Sequence, residues 1–386
     1  MTSGASHDVV VVGAGAVGLA AALACAHAGL SVGLAGPAPT RRDGRSAALL
    51  EGSMNLLHAL GVGDAVEQAG APLRRMRIVD DTDSLFRPPP ATFAAAEIGR
   101  EAFGWNIENA TLVAILADAV RNTGAIAWRP SMVEGLEPGL PIGVRQDGAI
   151  LSALLVVAAD GRDSAIRRAA GIAATTTDYR QAAFTTVLSH TAEHDSTSTE
   201  FHTRSGPFTL VPLPGRRSSL VWVTQPRHAE RLRAMADGDL AQAIGRRARP
   251  LLGEVEVDGP RGVVPLRMMS VERLHADGVA LVGEAAHVLP PIGAQGLNLG
   301  LSDIAALARL VRNARSTGED VGSASLLQAF DRERRGDIRA RSLAVDGLNR
   351  ALLSSFGPID ALRGAGLGLL ARVAPLRRAV MRAGLT

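Results

Sequence analysis

Residues 8–12 read Asp-Val-Val-Val-Val and run without a break into Gly13-Ala-Gly15-Ala-Val-Gly18 and an alanine-rich stretch that continues to His27. A β-branched strand, a three-glycine turn and a helix in that order leave few architectures open. Gly13 permits the tight turn, Gly15 lets a pyrophosphate approach the backbone, and Gly18 lets the helix pack close to the strand. The helix start, with Ala16 and Val17, offers unpaired N–H groups and the positive end of a dipole to an anion. The unit predicts an α/β chain with a dinucleotide site at its first turn. The apolar run over residues 9–26 has the length of a signal peptide or short membrane segment, but residues 1–8 hold no Lys or Arg and three glycines space the run. It reads as a buried strand and helix.

The second strand, residues 31–35, should end on an acid that binds the ribose hydroxyls. Gly36 stands there instead, and no Asp or Glu lies between Asp8 and Asp43. Either backbone and water hold the ribose, or Arg41 and Arg42 receive a 2′-phosphate. The remaining motifs favour the first reading, and an acid restored at position 36 is expected to tighten the dinucleotide.

A second constraint lies at residues 279–303, VALVGEAAHVLPPIGAQGLNLGLSD. A short apolar strand is followed by a turn rich in Gly and Pro, then by a helix whose apolar residues fall at 297, 301, 304, 308 and 311. Such a loop collects free N–H groups at a helix start, which suits an anion or an electron-rich ring.

Between these two units lie three further segments. Arg45-Ser-Ala-Ala-Leu-Leu-Glu-Gly precedes a predicted helix at 53–60, and the Arg45 fork is suited to phosphate oxygens. Gly104-Trp-Asn-Ile-Glu-Asn109 leads into a helix at 110–122 that Asn109 can cap. A buried strand at 154–159 ends in Asp160-Gly161-Arg162-Asp163-Ser164-Ala165-Ile166-Arg167, where the Asp160 carboxylate can fix the turn and Ser164 and Arg167 begin a helix.

Taken in this order, the segments resemble the class A FAD-dependent aromatic monooxygenases of the para-hydroxybenzoate hydroxylase fold, and are most similar to the ubiquinone-biosynthesis hydroxylases. The resemblance continues through AFDRERRGD and VDGLNRALLSS, which lie in and just beyond a long helix at 323–349, so it covers nearly the whole chain. It implies an α/β fold: a Rossmann-like FAD-binding lobe with an inserted β-sheet substrate lobe and C-terminal helices. The corresponding boundaries are 1–178 and 266–320 for the FAD lobe, 179–265 for the substrate lobe and 321–386 for the helices. It also implies that FAD is held by Gly13, Gly15, Ala16, Val17 and Gly18, by Arg45 and Asn109, and by Asp160, Gly161, Ser164 and Arg167. The last motif adds Gly283, Glu284, Pro291, Gly293, Ala294, Gln295, Gly296, Leu297 and Asn298. The resemblance further implies that Pro291 and Gly293 form the flavin-facing loop at which the reaction takes place, with no protein acid or base assigned. Two departures accompany the match: Glu284 replaces the family's Asp, and Gly293-Ala294 replaces Ala-Gly.

The implied reaction uses NADPH or NADH and O2 to hydroxylate a phenolic ring, expected to be a prenylated ubiquinone precursor and hence lipid-soluble. A monooxygenase acting on another aromatic or polyketide substrate is one alternative, and a non-catalytic scaffold subunit with degenerate FAD binding is another. The W-x-W-x-I-P signature of flavin halogenases is missing. Net charge is +3, there is no Lys, and no dense basic run lies outside the C-terminus, so a nucleic-acid partner is not expected. Cys25, the single cysteine, fits a reducing compartment and a buried filler role. His190, His194, His202 and His228 lack ligand spacing, and no metal is assigned. Residues 179–224 break into strand-like pieces that suit a pocket floor, with Phe184, Phe201, Phe208 and Trp222 either lining it or forming plain core. Residues 359–386 combine apolar positions with Arg363, Arg372, Arg377, Arg378 and Arg382. They read either as a terminal helix packed on the flavin lobe or as a peripheral membrane contact of a cytoplasmic protein that joins a ubiquinone-biosynthesis complex.

Overall fold

The computed structural model describes residues 6–37, 44–82, 89–291, 294–353, 369 and 373–385. Strand His7–Val12 pairs in parallel with Val32–Ala35 on one side and with Ala149–Ala158 on the other. Ile126–Arg129 and Val279–Leu281 extend the parallel order outward. Val9 to Val12 on the first strand and Leu155 to Ala158 on its neighbour are all at most 2% exposed, as an unbroken apolar run requires when helices cover both faces. Ala149–Ala158 has a double use: its first half pairs antiparallel with Ile142–Gln146, which pairs in turn with Val133–Glu137. Those three strands form a small antiparallel meander.

Helix Ala16–His27 packs against Asn109–Arg121 and Gln295–Thr317. The approach to the latter depends on two glycines, since a Cβ at Gly300 would lie 2.9 Å from a Val17 methyl and one at Gly283 would lie 3.1 Å from another. Close packing at Val17 sets the N-termini of the two helices side by side.

The second sheet has nine strands among the described residues. Its centre is Ala174–His190, flanked by Gly262–Val271 and Arg217–Thr224, and it continues through Gly206–Leu213 and Thr197–Thr203. Arg75–Asp80 and Ala91–Ala94 then complete one edge, and His287–Val288 the other. This sheet therefore draws on residues both before 179 and after 265. Side chains alternate between its faces. Phe184, Phe208 and Trp222 lie with Leu232, Leu240 and Ile244 in a core beneath helices Pro226–Ala234 and Asp237–Leu252, and Phe201 packs against that core. Phe208 and Trp222 meet edge to face at 5.2 Å. Ala183, Thr185 and Val221 point the other way, toward the flavin motifs. The four aromatics are thus core, and none lines the pocket.

The segment after Val279–Leu281 joins the two sheets, because Leu281 pairs with Ala158 in the first and His287–Val288 pairs with Met269 and Ser270 in the second. Residues 283–289 accordingly sit at the seam. Ala324–Leu353 is one long helix, as the sequence predicts. Helix Ala374–Leu385 packs on the outer edge of the second sheet, where Arg377 reaches Glu97 at 2.7 Å and Met381 is buried with Phe93 and Phe103.

Candidate cofactor and substrate site

The seam holds a cleft of about 480 Å³. Gly15, Ala16 and Val17 supply one part of its wall, with Asn109 and Ala110 nearby. Gly283, Glu284, Pro291 and residues 294–297 supply another. Arg45, Gly161 and Arg162 complete it from the segments in between. Two helix N-termini, at Ala16–His27 and Gln295–Thr317, therefore face one space, and neither has an acidic residue in its first turn. Both are open to a negatively charged guest.

Each glycine of the first turn has a different reason to be glycine. A Cβ at Gly13, whose φ is +108°, would lie 2.3 Å from the Ala159 carbonyl oxygen, and one at Gly18 would lie 1.8 Å from that of Gly13. Neither residue lines the cleft; both set the backbone that does. A Cβ at Gly15 would meet nothing within 4 Å and would project where the cleft begins. An open helix start beside a cradle that a side chain would fill fits a pyrophosphate, and a cleft that also takes in a second helix start fits FAD.

Several residues assigned to the cofactor by resemblance act at one remove. Asp160 Oδ2 accepts the backbone N–H groups of Ala165 and Ile166 at 2.7 and 3.2 Å, and its Oδ1 accepts from Ser164 Oγ at 2.5 Å. Ser164 caps helix Ala165–Ala169 by accepting from Arg167 N. Arg167 is 7% exposed and donates to the carbonyls of Ala285 and Arg162, both at 2.9 Å. These three residues lock the strand-end turn to residue 285, and none of them lines the cleft. Asn298 is also internal: its oxygen accepts from Leu50 N and Ser53 Oγ, and its Nδ2 donates to the carbonyls of Ala48 and Ala294. That last bond holds Ala294 in a left-handed conformation, φ +55°, which costs a non-glycine residue about 1 kcal/mol. The exchange of Gly and Ala in this loop thus places the strained position on the residue with a side chain. Gly293 lies outside the described residues.

Asn109 does not cap its helix. Glu108 is the N-cap, with no side-chain bond, and Asn109 is the first helical residue, free to face the cleft it lines.

Glu284 lines the cleft with its carboxylate 3.4 Å from Arg162 Nε. Arg162, at a variable position of its motif, lines the cleft without having been assigned to it by the motifs, as do Ser46, Val113 and Leu289. More hidden is a buried ionic chain behind the loop. Asp303, 0% exposed, accepts Gly283 N–H at 3.0 Å, meets His287 Nε2 at 2.7 Å and accepts from Arg334 Nε at 2.9 Å. Arg334 continues to Asp337, Asp337 to Arg341, and Arg341 to Gln295 at 2.8 Å, so the chain ends at the cleft's second helix start. Burial opposes the charge on Arg334, but Asp303 and Asp337 outweigh it and hold its pKa above the usual arginine value. The sequence carries one sign of this: a carboxylate between Leu299 and Leu307 on the buried face of a helix.

The histidines of the second sheet are spent on structure. His190 contacts Ala192 O and Ser218 Oγ, His194 contacts Leu213 O, His202 contacts Glu200, and His228 contacts Thr224. Cys25 is buried, which pushes its thiol pKa up to about 12.

A family described as FAD binding domain matches residues 6–341. The chain belongs to it. Over 97% of its length the chain is 34% identical to the ubiquinone hydroxylase UbiL of Rhodospirillum rubrum, covering 88% of that protein. It is 31% identical to the 3-demethoxyubiquinol 3-hydroxylase of Escherichia coli, covering 97% of each. The fold matches p-nitrophenol 4-monooxygenase PnpA from Pseudomonas putida with a TM-score of 0.80 at 18% identity, over 98% of both chains. It matches Klebsiella pneumoniae HpxO, solved with FAD and uric acid, with a TM-score of 0.78 at 20% identity, over 98% of this chain and 96% of that one. This chain is an FAD-dependent monooxygenase.

The structure corrects the expectation for Gly36. Its φ is +134°, its N–H donates to Arg129 O, its carbonyl accepts from Trp128 Nε1 at 3.0 Å, and a Cβ would lie 3.3 Å from Gly13 Cα. A side chain in that region costs roughly 1–3 kcal/mol. Gly36→Glu is therefore expected to lower the melting temperature and bind FAD no more tightly. Tighter FAD with an unchanged melt would restore the ribose contact that the sequence suggests. Arg41 and Arg42, the candidates for a 2′-phosphate, lie outside the described residues.

For Glu284, the Asp variant is expected to keep FAD, since only the reach of the carboxylate changes. The Ala variant should bind it about tenfold or more weakly, as loss of one charge-assisted hydrogen bond predicts. FAD titration followed by flavin fluorescence measures both. Unchanged affinity in Glu284→Ala would remove this residue from the cofactor's contacts.

Proposed function

We propose that this monooxygenase hydroxylates a phenolic ring carrying a prenyl tail, a precursor of ubiquinone, with NADPH or NADH as reductant. The observation that carries the reading is a smaller cavity of about 140 Å³ that shares Arg45, Ser46, Arg162, Glu284, Leu289 and Pro291 with the cofactor cleft. Its other walls include Ala183, Val221, Val264, Leu266 and Val288. A ring seated there would lie against the Pro291 loop, with aliphatic side chains on the sheet side and Arg45, Arg162, Arg267 and Glu284 at its polar rim. Names of the relatives support the substrate class. FAD, once bound, supplies the redox and oxygen chemistry. The start of Gln295–Thr317 would favour negative charge on a bound flavin by up to about 2 kcal/mol, and the glycine turn and Arg45 would hold its phosphates.

The test is product analysis. Holoenzyme supplied with ortho-prenylated phenols, NADPH or NADH, and isotopically labelled O2 should yield a ring-hydroxylated product carrying one labelled atom. Reduction of O2 to peroxide alone with every phenol offered would sink the proposal and return attention to another aromatic substrate or a scaffold role.

The reading extends to a cytoplasmic protein that touches a membrane, the place where a polyprenyl phenol is found, and to membership of a ubiquinone-biosynthesis complex. No helix among the described residues is long and apolar enough to cross a bilayer. Leu369, Val373 and Leu376 are nevertheless 52%, 36% and 39% exposed, large apolar side chains open to a partner surface. Arg378 lies close by and exposed. The full chain should float with anionic liposomes at low salt and less so at high salt. Replacing Leu369 and Leu376 by Ser should reduce the floated fraction several-fold, and equal flotation would exclude these side chains from the contact.

A further inference from the structure

Ser46 stands in the wall common to the cleft and the smaller cavity, with its Oγ 2.6 Å from the Oγ of Ser219. Ser219 lies two residues from Val221 on strand Arg217–Thr224, and therefore on the same face as that cavity-lining side chain. Between two hydroxyls either can donate, and burial decides which does. Ser219 is 1% exposed, so its proton needs an acceptor inside the protein. Its other side-chain neighbour among the described residues is Asn106 Nδ2 at 3.5 Å. That nitrogen is itself a donor, because it also gives a proton to the Pro212 carbonyl at 2.8 Å, a group that can only accept. The Ser219 proton therefore goes to Ser46 Oγ. Ser46 is half-buried, and its own proton is left for the cavity.

We propose that Ser46 is a substrate-binding residue that donates a hydrogen bond to the ring oxygen of the phenol, in an orientation imposed by Ser219. This rests on the phenolic reading above. A donor at that oxygen favours the phenolate over the phenol, and the phenolate is the more electron-rich ring. The tie to Ser219 roots the hydroxyl on the strand whose Val221 lines the smaller cavity, which favours the substrate side of the shared wall.

Calorimetric titration of the oxidised holoenzyme, without NAD(P)H, with ortho-dimethylallyl phenol and with dimethylallylbenzene tests this directly. Wild type should bind the phenol about tenfold more tightly, the worth of one net hydrogen bond. In Ser46→Ala the ratio should fall to about twofold or less, Ser46→Thr should restore it, and Ser219→Ala should lower it to an intermediate value. Equal binding of the two compounds by wild type overturns both this proposal and the phenolic reading. A tenfold preference that survives in Ser46→Ala overturns the proposal and leaves that reading standing. A changed FAD affinity in Ser46→Ala with the ratio intact would assign the hydroxyl to the cofactor and likewise overturn it. Should Ser46→Ala fail to hold FAD, the ratio in Ser219→Ala decides, and an unchanged value there overturns the proposal.

Discussion

Gly15→Val is expected to give a chain that folds and does not hold FAD. The backbone at Gly15, φ −76° and ψ 178°, is one that valine adopts without strain, and a Cβ there meets no atom within 4 Å. The melting temperature of the apoprotein should therefore stay within a few degrees of wild type. The added methyl groups, however, occupy the approach to the N–H groups of the helix start, where the pyrophosphate must come to the backbone. Losing two such charge-assisted bonds costs on the order of 3 kcal/mol, or at least about a hundredfold in FAD affinity. The neighbouring glycines should behave in the opposite way. Gly18→Ala puts a Cβ 1.8 Å from the Gly13 oxygen, and Gly13→Ala combines φ +108° with a 2.3 Å approach to Ala159 O. Both should melt earlier before FAD is added, by an amount matching overpacking of about 1–3 kcal/mol or more. Apoprotein melts by circular dichroism and FAD titration of the soluble variants separate the cases. Wild-type FAD affinity in Gly15→Val would remove the pyrophosphate from this turn.

That contrast also marks what the sequence makes legible. The three glycines announce a close backbone approach, and the strand-turn-helix order assigns their roles before any tertiary contact is known. The Arg-rich segment that forms helix Ala324–Leu353 and the strand-like pieces over residues 179–224 are legible in composition and resemblance. Motif membership, however, does not separate a residue that touches the cofactor from one that shapes the backbone beneath it. Asp160, Ser164, Arg167 and Asn298 all belong to the second kind, because their hydrogen bonds are spent within the protein. Gly36 reads as a missing acid, and only its φ of +134° reveals a backbone that refuses one. The aromatics of the second sheet illustrate a further limit: alternation gives two faces, but which face meets the helices and which the flavin loop depends on pairing between distant segments. The parallel contact of Arg75–Asp80 with Thr197–Thr203 is of the same kind, formed between segments more than a hundred residues apart. No local pattern encodes it.

Asp303 should prove the residue on which the second motif most depends. One carboxylate, 0% exposed, receives the Gly283 N–H, the His287 ring and the Arg334 guanidinium. Asp303→Ala leaves Arg334, itself 7% exposed, as a buried cation short of one partner, a change that typically costs about 3–5 kcal/mol. It also leaves Gly283 N–H without its acceptor, in a turn whose φ of +57° holds the residues beside Glu284 in place. Two effects are thus expected from one substitution, a melting temperature lower by roughly ten degrees and weaker FAD binding. The double variant Asp303→Ala with Arg334→Met separates them. Replacing a buried ion pair by apolar groups is often close to neutral, so most of the lost stability should return. FAD affinity should not return, because the Gly283 N–H still lacks its partner and the link through Arg334 toward Asp337, Arg341 and Gln295 is cut. Melts of the three proteins beside FAD titrations give the comparison. If the double variant recovers FAD affinity in step with stability, the carboxylate supports the fold alone and has no separate part in shaping the flavin loop.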